Sequence, residues 1–407
     1  MNTKNLFKVT FLAVILGLFA TCGDSAKPRL ITVSGKTLAD KLGWLEANAV
    51  SNTGYLLKIR TAHQELAPYN LIFSGDNITI HLKGIGKGKT IALADNGSLF
   101  TINNGITLIL ENLTLTGADS NKNALVRINS GGSLQLNKGA KISGNNGDGV
   151  YNNGGTFTMT DGEISGNNGG VRNDVTYVTI DGEYLTINGT FTMTGGTISG
   201  NTSLFSSTSG GVHNTGIFTM TGGEISGNIG GGVYNTGTFT MSGGIISNNT
   251  SSSFDGGGVH NGIIYTMIDG VYLAVNGTFT MTGGEISGNN SSYGGGVSNF
   301  GIFTMEDGKI LNNTCSIGGG VDNHGTFTMN GGTLSGNSAF FYGGGVSNSV
   351  TYTYSYEGYV SDVIFIMNGG EISGNTAASY GNGVFVGNGA VFDKSDGTIT
   401  DDIETDN

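Results

Sequence analysis

The chain has 407 residues, of which 74 are Gly and only 2 Pro; 37% are hydrophobic, 12% are charged, and the net charge is −12. Glycine at this level without a Gly-x-y period excludes collagen, and hydrophobic residues placed at regular intervals exclude a disordered chain. Two cysteines cannot build a disulfide framework, so stability has to come from packing.

Residues 1–21 read as an export signal, with Lys4 and Lys8 ahead of an apolar run from Val9 to Ala20 that is too short to span a bilayer. The run ends at Thr21-Cys22-Gly23, where a lipoprotein is cleaved and acylated on Cys22. Phe19 and Thr21 depart from the usual Leu-Ala-Gly-Cys form, so a plain secretory signal stays open. An acylated Cys22 makes the membrane a partner through a lipid anchor, not a span. The expected location is therefore the outer membrane or cell surface, with a periplasmic or secreted form as the alternative.

Residues 22–36 read as a linker, and 37–130 as an N-terminal cap followed by irregular coils. Leu38, Leu42 and Leu45 share one helical face within residues 37–52. A solenoid exposes unpaired backbone at its first coil, so this helix is expected to plug that end, with Trp44 packed there. Residues 55–141 contain alternating stretches such as Asn77-Ile-Thr-Ile-His-Leu82 that lack the later repeat spelling.

Residues 131–392 read as regular repeats. Phe-x-Met occurs eight times, from Phe157-Thr-Met159 to Phe365-Ile-Met367, and returns after 21 to 40 residues. In the copy from Gly216 to Asn235 three short apolar pieces stand out: Phe218/Met220, Ile225 and Val233. Phe and Met alternate with Thr, the period of a strand, and glycines separate the pieces. One such unit cannot bury its own apolar side, but stacked units share one. The fold class is therefore all-β: a parallel β-helix of about 21–24 residues per coil, with coils about 4.8 Å apart.

Two asparagine columns agree with in-register stacking. One runs through Asn214, Asn235, Asn261, Asn299 and Asn323 in Val-x-Asn, and the other through Asn145, Asn167, Asn201, Asn228, Asn289, Asn337 and Asn375. Stacked amides can hydrogen-bond from coil to coil, which competes with a reading of these residues as ligands. Histidines 213, 260 and 324 lie near the first column and read as exposed repeat variation, not as metal ligands.

Three coils are longer than the rest: Val171 to Met193, Val259 to Met281 and Val346 to Met367. The extra segments of the first two carry Asp-Gly between alternating runs, a strong hairpin signal, and the third carries Glu357-Gly358. Their Val positions are 88 and 87 residues apart with three coils in each interval, which sets the hairpins roughly 14 Å apart. Tyr177, Tyr184, Tyr265, Tyr272, Tyr354 and Tyr359 would line this projecting row. It is either a duplicated block whose hairpins cover the solenoid or a comb for recognition, since tyrosines favour interfaces. A second variable loop holds Phe205, Phe254, Tyr293, Tyr342 and Tyr380, as a sugar-stacking row or an aromatic ladder shielding the turn. Cys315 reads as an unpaired loop thiol, and residues 393–407 as an acidic tail that discourages end-to-end stacking.

Residues 173–407 hold 2 basic and 19 acidic side chains, which leaves no counter-charge for phosphate and excludes nucleic acid as a partner of the repeats. The calcium nonapeptide Gly-Gly-x-Gly-x-Asp is not spelled anywhere, and no cofactor is expected. The units Gly-Gly-Gly-Val-x-Asn and Gly-Gly-Glu-Ile-Ser-Gly-Asn resemble right-handed β-helix repeats of the pectin-lyase-like superfamily, especially bacterial surface repeat lipoproteins. More loosely, they resemble polymorphic outer-membrane protein repeats. The resemblance covers about residues 130–390 and implies fold more than function. Polysaccharide lyases of that type imply clustered carboxylates with an Arg or Lys base, and glycosidases imply facing carboxylates. Beyond Arg60 the only arginines are Arg127 and Arg172, and the glutamates at 163, 224, 285 and 371 come one per coil, outward-facing. The expectation is a non-catalytic binding or adhesion scaffold for an unknown protein or glycan; a polysaccharide lyase or hydrolase and a passive spacer are the alternatives.

Overall fold

The computed structural model describes residues 30–180, 183–203, 209–252, 256–268, 271–350 and 363–406. Each coil contributes three short strands, here named by the residue that each buries. One coil supplies Val233–Asn235 to the Asn face, Thr238–Met241 to the Phe face and Ile245–Ser247 to the Ile face. All three faces pair in parallel and in register, so like sits on like: Phe218, Phe239 and Phe279; Ile225, Ile246 and Ile286; Val212, Val233 and Val259. This is a parallel β-helix. Strand alternation decides which residue enters the core: Phe239 and Met241 are fully buried, whereas Thr238 is exposed and Thr240 half-buried. Phenylalanine rings of successive coils stack 4.7 Å apart and within 7° of parallel from Phe157 to Phe365. Burying each such side chain is worth about 1.5–3 kcal/mol, and only the neighbouring coils supply the burial.

The coils ahead of Phe157 join the same faces. Ile31, Tyr55, Ile80, Leu108, Leu134 and Phe157 form one continuous column. The sequence reads residues 55–141 as irregular because Phe-x-Met is missing. The inward positions instead carry Leu and Ile, which keep the period of two without the spelling. The helix Leu38–Asn48 covers this end and buries Leu38, Leu42 and Leu45. Thr37 accepts from the Asp40 amide while the Asp40 carboxylate accepts from Thr37, closing a capping box. Gln64 of the solenoid accepts from the Leu38 amide at 2.8 Å, tying helix to coil. Trp44 lies edge-on to Tyr55 at 6.1 Å and remains 38% exposed.

The corners between faces explain the glycine content. Gly223 has φ +84°, and a Cβ there would lie 2.6 Å from Met193 Cε of the preceding coil. At Gly232 a Cβ would lie 2.6 Å from the Gly258 carbonyl oxygen of the next coil. On the outside of the Ile face the column Glu163, Thr197, Glu224, Ile245, Glu285, Lys309 puts a neutral or opposite residue beside every glutamate. Like charges therefore never occupy adjacent rungs of that column.

Both asparagine columns lie inside the fold. In the first, the side-chain amide of Asn152 donates to Asn173, and the chain continues through Asn214, Asn235, Asn261, Asn299 and Asn323 to Asn348 at 2.7–2.8 Å per step. The second runs along the opposite corner and includes Asn249 and Asn313. It ends where Asp401 accepts from the Asn375 side chain at 3.0 Å and from the amides of Gly374 and Asn375. Residues 393–406, expected as part of an acidic tail, instead belong to a further coil. Val391–Lys394, Thr398–Ile399 and Ile403–Thr405 pair with the coil before them, because Phe392 and Ile399 continue the core columns.

Candidate binding surface

Among the described residues, the first two of the three long coils form hairpins. Val171–Ile180 runs with the Asn face as far as Asp174, then leaves it to pair antiparallel with Glu183–Asn188. Ile263–Ile268 pairs in the same way with Val271–Asn276. Their roots, Val171 and Val259, are separated by Val212 and Val233 in one column, a spacing of three coils or roughly 14 Å. Tyr177 is 65% exposed, opposite Thr186, and Leu185 is 45% exposed. On the second hairpin Ile264 and Val275 face each other across the strands and are 40% and 44% exposed. Tyr184 pairs with Thr179, Tyr265 with Ala274 and Tyr272 with Met267, as backbone positions. Tyr354 and Tyr359 of the third insertion lie outside the described residues, as do Cys22 and residues 1–21, read above as an export signal. Among the described residues no helix is long and apolar enough to cross a membrane.

The roots of the insertions are anchored by a feature that sequence reasoning missed. The middle residues of Val-x-Asn form an outward column: Arg127, Tyr151, Arg172, His213, Tyr234, His260. Arg127 and Arg172 sit on either side of the Tyr151 ring, 4.7 and 5.1 Å from its centroid. His213, Tyr234 and His260 continue the stack at 5.1 and 4.8 Å, followed by Phe300 and His324. The three histidines are therefore enclosed, not exposed as repeat variation. Outward-pointing residues are covered here by rings and loops of neighbouring coils.

The first root and the start of the third insertion have polar fastenings, and the second root is closely packed. Arg172 donates to Asp174 at 2.6 Å, and Asp174 also accepts from Thr215, whose hydroxyl in turn accepts from the Val175 amide. At Gly262, the root of the second hairpin, a Cβ would meet His260 Nε2 at 2.8 Å. His324 places Nε2 2.9 Å from Asp322 and Nδ1 2.6 Å from the Ser349 carbonyl, where the third insertion begins. Both partners can accept, so a doubly protonated ring satisfies both contacts. Burial opposes that charge, but the adjoining Asp322 carboxylate outweighs it and raises the pKa. Burial also drives His213 down to about 4, against the pull of Asp174, and His260 down to about 4, helped by the charge on His324.

Beside the first root lies a groove of about 420 Å³ lined by Lys122, Asp148, Val171, Arg172, Ser209 and His213 among the described residues. Burial raises the Asp148 carboxyl to about 6, with Arg172 opposing and Asp174 assisting. The groove can hold a polar group against a guanidinium fixed by Asp174. Among the described residues no three His, Cys, Asp or Glu side chains converge as a metal site. Comparison with protein-family models, with curated proteins and with solved structures finds no match to this chain.

Proposed function

We propose that the chain is an exported, lipid-anchored envelope protein that acts as a non-catalytic binding scaffold and presents its hairpins to a protein or glycan ligand. The observation that carries this reading is the pair of hairpins three coils apart, with Tyr177, Leu185, Ile264 and Val275 left open to solvent. A hairpin that merely covered the solenoid would turn its apolar residues inward, whereas exposed apolar side chains on a projecting element favour a partner. The fastened root of the first hairpin supports the same reading, because a rigid mount lowers the entropy lost on binding. The resemblance to surface repeat lipoproteins of the pectin-lyase-like type, with Cys22 as the acylated residue, belongs to this proposal.

Two experiments test it. Protease treatment of intact cells should degrade the chain while an interior control protein survives; a protected chain would put it inside the envelope and remove adhesion. Arrays of matrix proteins and glycans should capture the purified chain, and deletion of Tyr265–Val275 should reduce capture without lowering the melting temperature. Equal capture by the deletion variant sinks the hairpin assignment. Release of reducing or unsaturated sugar from a glycan panel, lost in Asp148→Asn, would replace the scaffold by an enzyme.

A further inference from the structure

A third, smaller sheet stands at the corner between the Ile face and the Asn face, away from the hairpins, which leave the corner between the Asn face and the Phe face. It consists of Thr314–Ile317, Ser338–Tyr342 and Thr376–Ala377 in parallel register. Thr314, Ser338 and Thr376 stack as one column of hydroxyls, and Cys315, Ala339 and Ala377 as the adjoining column of small residues. The hydroxyls are already linked: Thr376 donates to Ser338 at 3.1 Å, and Asn290 of the preceding coil donates to Thr314 at 3.0 Å. Phe340 rises beside the small residues with 66% of its surface exposed, held perpendicular to Phe341 at 4.7 Å. Hydroxyl column, small residues and ring together line a trough of about 360 Å³ that spans three coils. Its three rungs span roughly 10 Å. No charged side chain lines it among the described residues, and burial pushes the Cys315 thiol up to about 12, so it is neutral too.

We propose that this trough binds a neutral, extended glycan. A sugar ring has an apolar C–H face and a rim of hydroxyls, which match an exposed phenyl ring beside a row of hydroxyl groups. One hydroxyl per coil at the regular strand spacing favours an extended chain over a coiled one. Neutrality follows from the lining and from the surplus of 19 acidic over 2 basic residues after residue 172, which repels an acidic polymer. The site lies at a different corner from the hairpins and does not depend on their role.

Titration calorimetry of the full chain with cellohexaose, xylohexaose and mannohexaose, with trigalacturonate as the charged comparison, tests the assignment. At least one neutral hexaose should bind and the galacturonate should not. Phe340→Ala should weaken binding about two- to tenfold, the worth of one aromatic stacking contact, with an unchanged melting temperature because the ring is exposed. Thr314→Ala should weaken it as well, while deletion of Tyr265–Val275 should leave it unaltered. Absence of heat from all three neutral sugars, preference for the galacturonate, or undiminished affinity in Phe340→Ala would overturn the proposal.

Discussion

Replacing Asn261 by Ala probes the inner asparagine ladder at its middle. Asn261 is fully buried; its oxygen accepts from Asn235 at 2.8 Å and its amide donates to Asn299 at 2.8 Å and to the carbonyls of Gly277 and Ile302. The Gly277 oxygen keeps the Ile302 amide as a partner, and the Asn235 side-chain amide keeps the carbonyls of Gly237 and Thr278, so the group left without a partner is the Asn299 oxygen. A buried group left without a partner costs about 1–3 kcal/mol, which puts the expected destabilisation at about 2 kcal/mol. Exposed Asn290→Ala serves as the control and should stay within about 0.5 kcal/mol. Urea unfolding followed by circular dichroism gives both numbers, provided that the slope with denaturant stays constant, which matters in a stacked array. A loss below about 1 kcal/mol for Asn261→Ala would mean that the ladder is filler rather than a structural bond network.

Asp401→Ala should strip three acceptor contacts from the end of the second ladder, so amide exchange should accelerate over residues 371–406 while the coils up to Met329 keep their protection; uniform protection would show that the last coil needs no cap. Phe239→Ala removes one ring from the stack and should cost about 3–5 kcal/mol, read as a shift of the urea midpoint; a shift under about 1 kcal/mol would contradict close stacking. Stability should also fall in acid. His213 and His260 ionise near 4 when folded but at 6.5 when unfolded, so the unfolded chain takes up their protons first as pH drops below 6.5. Each contributes a loss of up to about 1.4 kcal/mol per pH unit between 6.5 and 4. Asp148, raised from 3.8 to about 6, opposes with the reverse sign over that range, leaving a net loss of about 1.4 kcal/mol per unit. His324 acts on the alkaline side, where its raised pKa means stability is lost as pH climbs past the folded value. His213→Phe keeps the ring stack and should flatten the acid limb; an unchanged limb would assign the acid loss to other groups.

The parts of the fold legible in sequence are those governed by neighbours along the chain. Alternation of Thr with Phe239 and Met241 marks the inward side of a strand, and the 21-residue return of the unit marks a stacked coil, because both follow from local backbone geometry. The first ladder was visible as Val-x-Asn. Asn249 and Asn313 escaped notice because their turns read Ser-Asn-Asn and Leu-Asn-Asn, where the rest of the column reads Ser-Gly-Asn. In both, Asn248 and Asn312 adopt the positive φ that glycine takes elsewhere, at 54°. Asp401 looked like one more tail charge until its place beneath Asn375 gave it amides to accept from.

Sequence alone thus determined the architecture and the direction in which each repeat residue points, since a strand's period leaves two choices and the apolar residues make one of them. Tertiary structure decided what covers the outward residues. His213, His260 and His324 point away from the core by period, yet they are enclosed by Tyr234, Phe300 and Ser349 from adjoining coils, at sequence distances that no local pattern encodes. The same holds for the trough beside Phe340, whose hydroxyls lie 24 and 38 residues apart in the chain and meet only because the coils stack in register.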